Sequence, residues 1–182
     1  MFLQIENVPD QVVLFRPVYS SEGNITEILL NSSVSEVCFD VRNAHSCRFA
    51  LARFYAIDLA AQEKAIKRTF HRSVPVPFYL PDGRVFVPLK MRTHSLASDN
   101  SYGYVDIGTV KPIREADNQT WLELTTDHRV PLFTSINTAR SMLYLGHEIQ
   151  QTYFPRENSE VSVILDAVKI LLSKLSHYTS RG

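Results

Sequence analysis

The sequence predicts an α+β fold: a single domain built on a mainly antiparallel sheet of about six to eight short strands, with three helices near 45–71, 135–150 and 159–175. Three observations lead there. The nine prolines fall at 9, 17, 75, 77, 81, 88, 112, 131 and 155, and the proline-free stretches 18–74, 132–154 and 156–182 are where helices can fit. Short aliphatic or alternating runs bounded by turn residues fill much of the rest. Within the proline-free stretches, apolar residues recur at helical spacing.

The strands come first. Residues 11–19 and 25–30 are aliphatic runs separated by Ser-Ser-Glu-Gly-Asn, a turn composition, and 36–41 alternates as a third strand. Val76–Leu80 and Val85–Pro88 flank Pro81-Asp82-Gly83-Arg84, a strong hairpin signal. Tyr102–Val110, Thr120–Leu124 and Arg129–Phe133 complete the set, the last two joined by Thr125-Thr126-Asp127-His128.

The clearest helix is the last, where Val161, Ile164, Leu165, Val168, Leu171, Leu172 and Leu175 share one face. Acids at its start and bases toward its end suit the helix dipole. This segment, 150–182, reads as a C-terminal helical extension suited to association. A second helix is expected over 135–150. On a wheel for 45–71, Leu51, Ala52, Tyr55, Leu59, Ile66 and Phe70 gather on one side. Arg53, Lys64, Lys67, Arg68 and His71 gather opposite them, with Asp58 and Glu63 expected to project elsewhere. A solvated helix surface is the plain explanation of such a stripe, but ordinary surfaces mix charge signs through i,i+4 pairs.

Composition excludes several classes. With 45% hydrophobic and 21% charged residues, the chain is neither disordered nor fibrous. No apolar run is long enough to span a membrane, and no signal-peptide pattern opens the chain, so a cytoplasmic location is expected. Cys38 and Cys47 are too few for a disulfide framework. Net charge is zero, yet it is unevenly spread: −5 over 1–41, +7 over 42–94 and −2 over 95–182. A cationic middle segment in a neutral chain suggests a polyanionic partner.

No catalytic constellation emerges, so the chain is not expected to be an enzyme. Ser98-Asp99-Asn100 lacks the companion motifs of penicillin-binding enzymes. His147-Glu148 lacks the second histidine of a zinc protease helix, and His45-x-Cys47 has no second ligand pair at zinc spacing. Cys47 reads as a semi-buried thiol beside a helix rather than a nucleophile. With no glycine-rich phosphate loop either, neither metal nor cofactor is expected.

At Ser46-Cys47-Arg48-Phe49, and over roughly residues 10–175 in all, the chain resembles the competence transcription factor family of the ComK type. The likeness continues through the helix, the proline-containing strand Val74–Leu80, the Pro81-Asp82-Gly83 turn and Val85-Phe86-Val87-Pro88. It resumes at Asn100–Ile107, at the hairpin around Asp127, and at Tyr153-Phe154-Pro155-Arg156-Glu157-Asn158 with the amphipathic segment after it. The resemblance implies a sequence-specific activator of DNA-uptake genes that binds paired AT-rich boxes as an oligomer, largely through the minor groove. It also implies that Tyr153, Phe154 and Pro155 correspond in part to a tag read by a proteolytic adaptor. One departure is Ala50–Ala56, where the family carries glycine and serine.

The residues themselves suit such a partner, because AT tracts narrow the minor groove and favour inserted arginine or lysine. The expected DNA face comprises Arg48, Arg53, Lys64, Lys67, Arg68 and His71, with Arg84, Lys90 and Arg92 from the adjoining hairpin. Arg84, in a turn tip beside Gly83, is the expected groove-entering residue. An internal salt bridge or helix cap is the alternative for Arg48, and simple surface exposure the alternative for Arg84. The competing class is a non-enzymatic protein-interaction module whose cationic face meets an acidic partner.

Overall fold

The computed structural model describes residues 1–21, 23–31, 37–72, 75–93 and 101–155. The expected helix over 159–175 lies outside them. The fold is α+β and one domain, with two antiparallel sheets. The larger contains β1 (Val12–Ser20), β2 (Gly23–Leu30), β3 (Val37–Asp40), β4 (Phe78–Tyr79), β5 (Val85–Lys90) and β6 (Tyr102–Asp106), in the order β3-β2-β1-β6-β5-β4. The smaller contains β7 (Arg114–Ala116), β8 (Gln119–Glu123) and β9 (Arg129–Leu132). The helices are α1 (Ala44–Phe54), α2 (Leu59–Phe70) and α3 (Ile136–Tyr153).

Strand periodicity divides the interior into two cores. On β5, Val85, Val87 and Leu89 point to one face of the large sheet and Phe86 to the other, and Val105 and Tyr104 divide in the same way on β6. One face, with Phe15, Ile28, Phe78, Phe86 and Tyr104, packs on Cys47, Ala50 and Leu51 of α1. The other face meets Ala139, Leu145 and Ile149 of α3, together with Leu122, Val130 and Leu132 of the small sheet. Gly146 of α3 lets the helix approach this second face. A Cβ there would meet Val87 Cγ1 at 2.5 Å and Ile107 Cγ2 at 2.8 Å.

Both edges of the large sheet are covered, which removes the open pairing sites that edge strands otherwise present. At β3, the Phe39 N–H donates to the carbonyl of Met1 and the Leu3 N–H to the carbonyl of Phe39, each at 2.9 Å. At β4, the Gln62 side chain of α2 substitutes for a strand. Its Nε2 donates to the Tyr79 carbonyl at 2.9 Å, and the Tyr79 N–H donates to its Oε1 at 3.1 Å.

The region 45–71, expected as one helix, is two. Helix α1 stops at a reversed turn in which Ala56 takes a left-handed φ of 53°. There the Ile57 N–H reaches back to the Ala52 carbonyl at 2.9 Å and the Ala56 N–H to Arg53 at 3.1 Å, the paired bonds of a Schellman stop. Asp58 then caps α2, accepting from the N–H groups of Ala60 and Ala61 at 2.9 and 3.0 Å. Asp58 therefore faces its own helix rather than simply projecting away. The break lets α2 leave the first core, where Leu59 is buried, and cross the β4 edge to place Ile66 in the second. Strand β7 was not expected. It follows from a two-residue turn at Asp117 and Asn118, both at positive φ, that folds it back on β8.

A partly buried ion cluster centred on Asp40 ties the amino terminus to the start of α1. Asp40, its side chain only 1% exposed, accepts from the Ile5 N–H at 3.0 Å and from Arg42 Nε at 2.9 Å. Arg42 Nη1 donates to Glu6 at 3.0 Å, and Thr26 Oγ1 donates to the Arg42 carbonyl at 2.7 Å. Burial pushes the Asp40 carboxyl up, but the Arg42 side chain and the backbone N–H groups outweigh it, and the net shift is downward. Glu6 is lowered chiefly by its hydrogen bonds from Arg42. Asp106, by contrast, is raised by burial.

Two outcomes are expected. Gly146→Ala destabilises the fold by about 1–3 kcal/mol in urea unfolding, although alanine is the better helix former, because the added methyl is forced into Val87 and Ile107. Glu6 and Asp40, lowered from ordinary values of 4.5 and 3.8, stabilise the fold while ionised and lose that contribution as pH falls through their folded values. The urea midpoint therefore drops between pH 6 and pH 3, and less steeply in Glu6→Gln.

Candidate nucleic-acid interface

The exposed cations of the basic segment lie mainly on α2, on the side turned away from the sheet edge. Lys64, Arg68 and His71 are exposed at spacings of four and three, so they share one helix face. Arg53, in the last turn of α1, is also exposed and lines a cleft of about 300 Å3 with Phe49, Ile57 and Asp58. Among the described residues, none of Arg53, Lys64, Arg68 and His71 has an ion pair or side-chain hydrogen bond. Lys67 is different: its Nζ is 2.7 Å from Glu63, four residues back on the same helix. Glu63 thus neutralises one member of the stripe, against the expectation that it projects elsewhere.

Part of this basicity serves the helix itself. Lys67 and Arg68 stand in the last turn of α2, and His71 caps it at a left-handed φ of 51°. Cations there offset the negative end of the helix dipole. Arg53 stands likewise in the last turn of α1, so Lys64 is the exposed cation of the stripe that the dipole does not explain. Arg72, omitted from the expected face, is exposed directly after His71 and lines a neighbouring cleft of about 420 Å3 with Asn137, Ser141 and Met142. Its adjacency to the stripe in sequence was the available signal.

Three of the four remaining expected contacts, Arg84, Arg48 and Arg92, are packed into the fold. Arg84, its side chain 17% exposed, works as an internal cross-link. Its guanidinium donates to Asp82 at 2.7 Å, to the carbonyls of Val12 and Pro9 at 3.2 and 3.0 Å, and to the Tyr55 hydroxyl at 3.0 Å. It also lies 5.7 Å from the centre of the Phe86 ring. Tyr55 in turn donates to Asp10 at 2.5 Å; burial first, and Asp10 next, push its phenol up to about 12. Arg84 is therefore not a free turn-tip cation, and the groove-entering role expected of it does not fit this placement.

Arg48 is held against the rings of Phe78 and Tyr104, 5.4 and 5.5 Å from their centres, with its Nε buried and unbonded among the described residues. Its role is thus internal, through aromatic rings rather than a salt bridge or helix cap. Arg92 is 8% exposed, lies 4.2 Å over the Tyr19 ring and donates to Asn24 at 2.7 Å. Lys90 is half-buried at the end of β5, where its carbonyl accepts from the Phe133 N–H at 2.7 Å. Of the nine expected residues, the geometry leaves Arg53, Lys64, Arg68 and His71 exposed and unpaired among the described residues, with Lys67 half-committed to Glu63 and Lys90 half-buried but without a side-chain ion pair or hydrogen bond.

The segment Tyr153-Phe154-Pro155 is docked rather than displayed. Tyr153 stacks on Tyr79 at 4.8 Å, and Phe154 meets the same ring edge-on at 5.5 Å and lies beside Gly83. Only Pro155 of the three is exposed. Cys38 and Cys47 are both buried and form no disulfide, and burial pushes the Cys47 thiol up to about 12, well removed from a reactive thiolate. Among the described residues, no group of three or more His, Cys, Asp or Glu is placed to hold a metal ion, and no helix is long and apolar enough to cross a membrane.

Comparison with protein-family models, curated proteins and solved structures finds no match to this chain.

The inward and outward arginines separate in a mutational test. Arg84→Ala is expected to destabilise the fold by about 2–4 kcal/mol, since it strips hydrogen bonds from buried acceptors at Pro9 and Val12. Arg68→Ala is expected to change stability by less than about 0.5 kcal/mol. Urea denaturation of the two variants beside the parent checks both.

Proposed function

We propose that this chain is a sequence-specific DNA-binding activator of the ComK type, which recognises AT-rich duplex and acts on genes for DNA uptake. The observation that carries the proposal is the set of exposed, unpaired cations along the end of α1 and the outer face of α2: Arg53, Lys64, Arg68 and His71. Resemblance at Ser46–Phe49, at the Pro81-Asp82-Gly83 turn and at Tyr153–Asn158 supplies the family. Helix-borne cations of this kind fit phosphate contacts, which set affinity and register. Three lasting positive charges per chain make a modest electrostatic footprint. Binding as an oligomer to paired boxes compensates for that, because two weak faces on one duplex reinforce each other.

Fluorescence anisotropy with AT-rich and GC-rich duplexes at several salt concentrations tests the reading. The expected result is tighter binding to the AT duplex, with log affinity falling linearly in log salt at a slope of about −3 per bound chain. Arg68→Ala is expected to reduce that slope by about 1 and to weaken both duplexes alike. Equal affinity for the two duplexes, or affinity indifferent to salt, overturns the proposal. Binding to polyglutamate as tight as to DNA favours the acidic-partner module instead.

A further inference from the structure

The free face of α3 carries a second cationic feature, remote in sequence from the basic segment. Arg140, Leu143, Tyr144 and His147 follow the 0, 3, 4, 7 spacing of one helix face. Opposite them runs the segment between β6 and β7, which presents Lys111 and Ile113, and between the two walls lies a cleft of about 400 Å3. Leu143 and Ile113 give it an apolar floor, and no carboxylate lines it.

Apart from Lys111, its polar side chains are unspent among the described residues. Arg140 and His147 are exposed and make no ion pair or hydrogen bond among the described residues. Lys111 pairs at 2.6 Å with Asp127, but that carboxylate is 87% exposed, so the pair is a surface contact that an incoming anion can displace. Tyr144 is 65% exposed in mid-helix, the most exposed large aromatic of the described residues, with no ring partner and no bond to its hydroxyl.

We propose that this cleft binds a small organic phosphate bearing a flat ring, of the nucleoside monophosphate class. The chemistry of the walls specifies both halves of the ligand. A planar guanidinium grips a phosphate by paired hydrogen bonds, and Arg140 has one uncommitted, with Lys111 across the cleft to add charge. An exposed phenol ring on an apolar floor offers a stacking platform for a base. Arg140 and His147 bracket Tyr144 over seven residues, about 10 Å of helix axis, so the anionic and aromatic parts of one nucleotide can be engaged together. The volume is in the range of small-molecule sites. The site does not depend on the reading of the α1 and α2 face, whose residues it does not share.

Calorimetric titration of the full chain with adenosine monophosphate, adenosine and inorganic phosphate tests it. The expected result is one adenosine monophosphate per chain, with adenosine and phosphate each bound at least tenfold more weakly. Tyr144→Ser and Arg140→Ala, both at exposed positions, are expected to weaken the nucleotide at least fivefold while leaving the melting temperature unchanged. Lys64→Ala is expected to leave it unaffected. The proposal is overturned if adenosine monophosphate does not bind, if inorganic phosphate binds as tightly, or if the two variants retain the parent's affinity. It is also overturned if Arg140→Ala weakens AT duplex and nucleotide equally, which would make the cleft part of a DNA surface.

Discussion

A large sheet that is apolar on both faces has to be covered twice, and that requirement organises the molecule. Strands β5 and β6 put aliphatic side chains on one side and aromatic ones on the other, so neither face can be left in water. Helix α1 closes the aromatic side; α3 and the small sheet close the aliphatic one. Among the described helices only α2 serves both, and it does so by passing around the edge. Its inner face is spent on Leu59, Gln62 and Ile66, so the side left over is the one turned to solvent. The location of Lys64 and Arg68 is a by-product of that closure.

The same logic separates the arginines of the middle segment into two trades. Arg48, Arg84 and Arg92 each lie against aromatic rings, where a weakly hydrated planar cation packs almost as a flat apolar group. Arg53 and Arg68 make no ion pair, side-chain hydrogen bond or ring contact among the described residues. The +7 balance over 42–94 therefore overstates the field that a partner meets, because several of those charges are tied into the fold.

Much of this architecture was legible in the residues. Alternation in 36–41, the Pro81-Asp82-Gly83-Arg84 turn with its flanking runs and the proline-free stretch 132–154 each act through local geometry, and among the described residues each became the expected element. What was not legible depended on partners distant in the chain. The stop at Ala56 carries no glycine, so its only local sign was the cap Asp58, and the wheel ran through it. β7 is three residues long and patterned by nothing but the strand it pairs with. For the candidate face, helix spacing identified Arg53, Lys64 and Arg68. No sequence rule could announce that Arg84 reaches carbonyls more than seventy residues earlier, at Pro9 and Val12.

That long reach makes the β4–β5 hairpin a junction. Arg84 binds it to the amino terminus, Gln62 to α2, and Gln150, donating to the Gly83 carbonyl at 2.9 Å, binds it to the end of α3 with Phe154 alongside. Three remote parts of the chain thus meet on a turn of a few residues. Loosening any one of them slackens its hold on the other two, so the last turn of α3 and the first ten residues share a mechanical fate despite lying at opposite ends of the described chain.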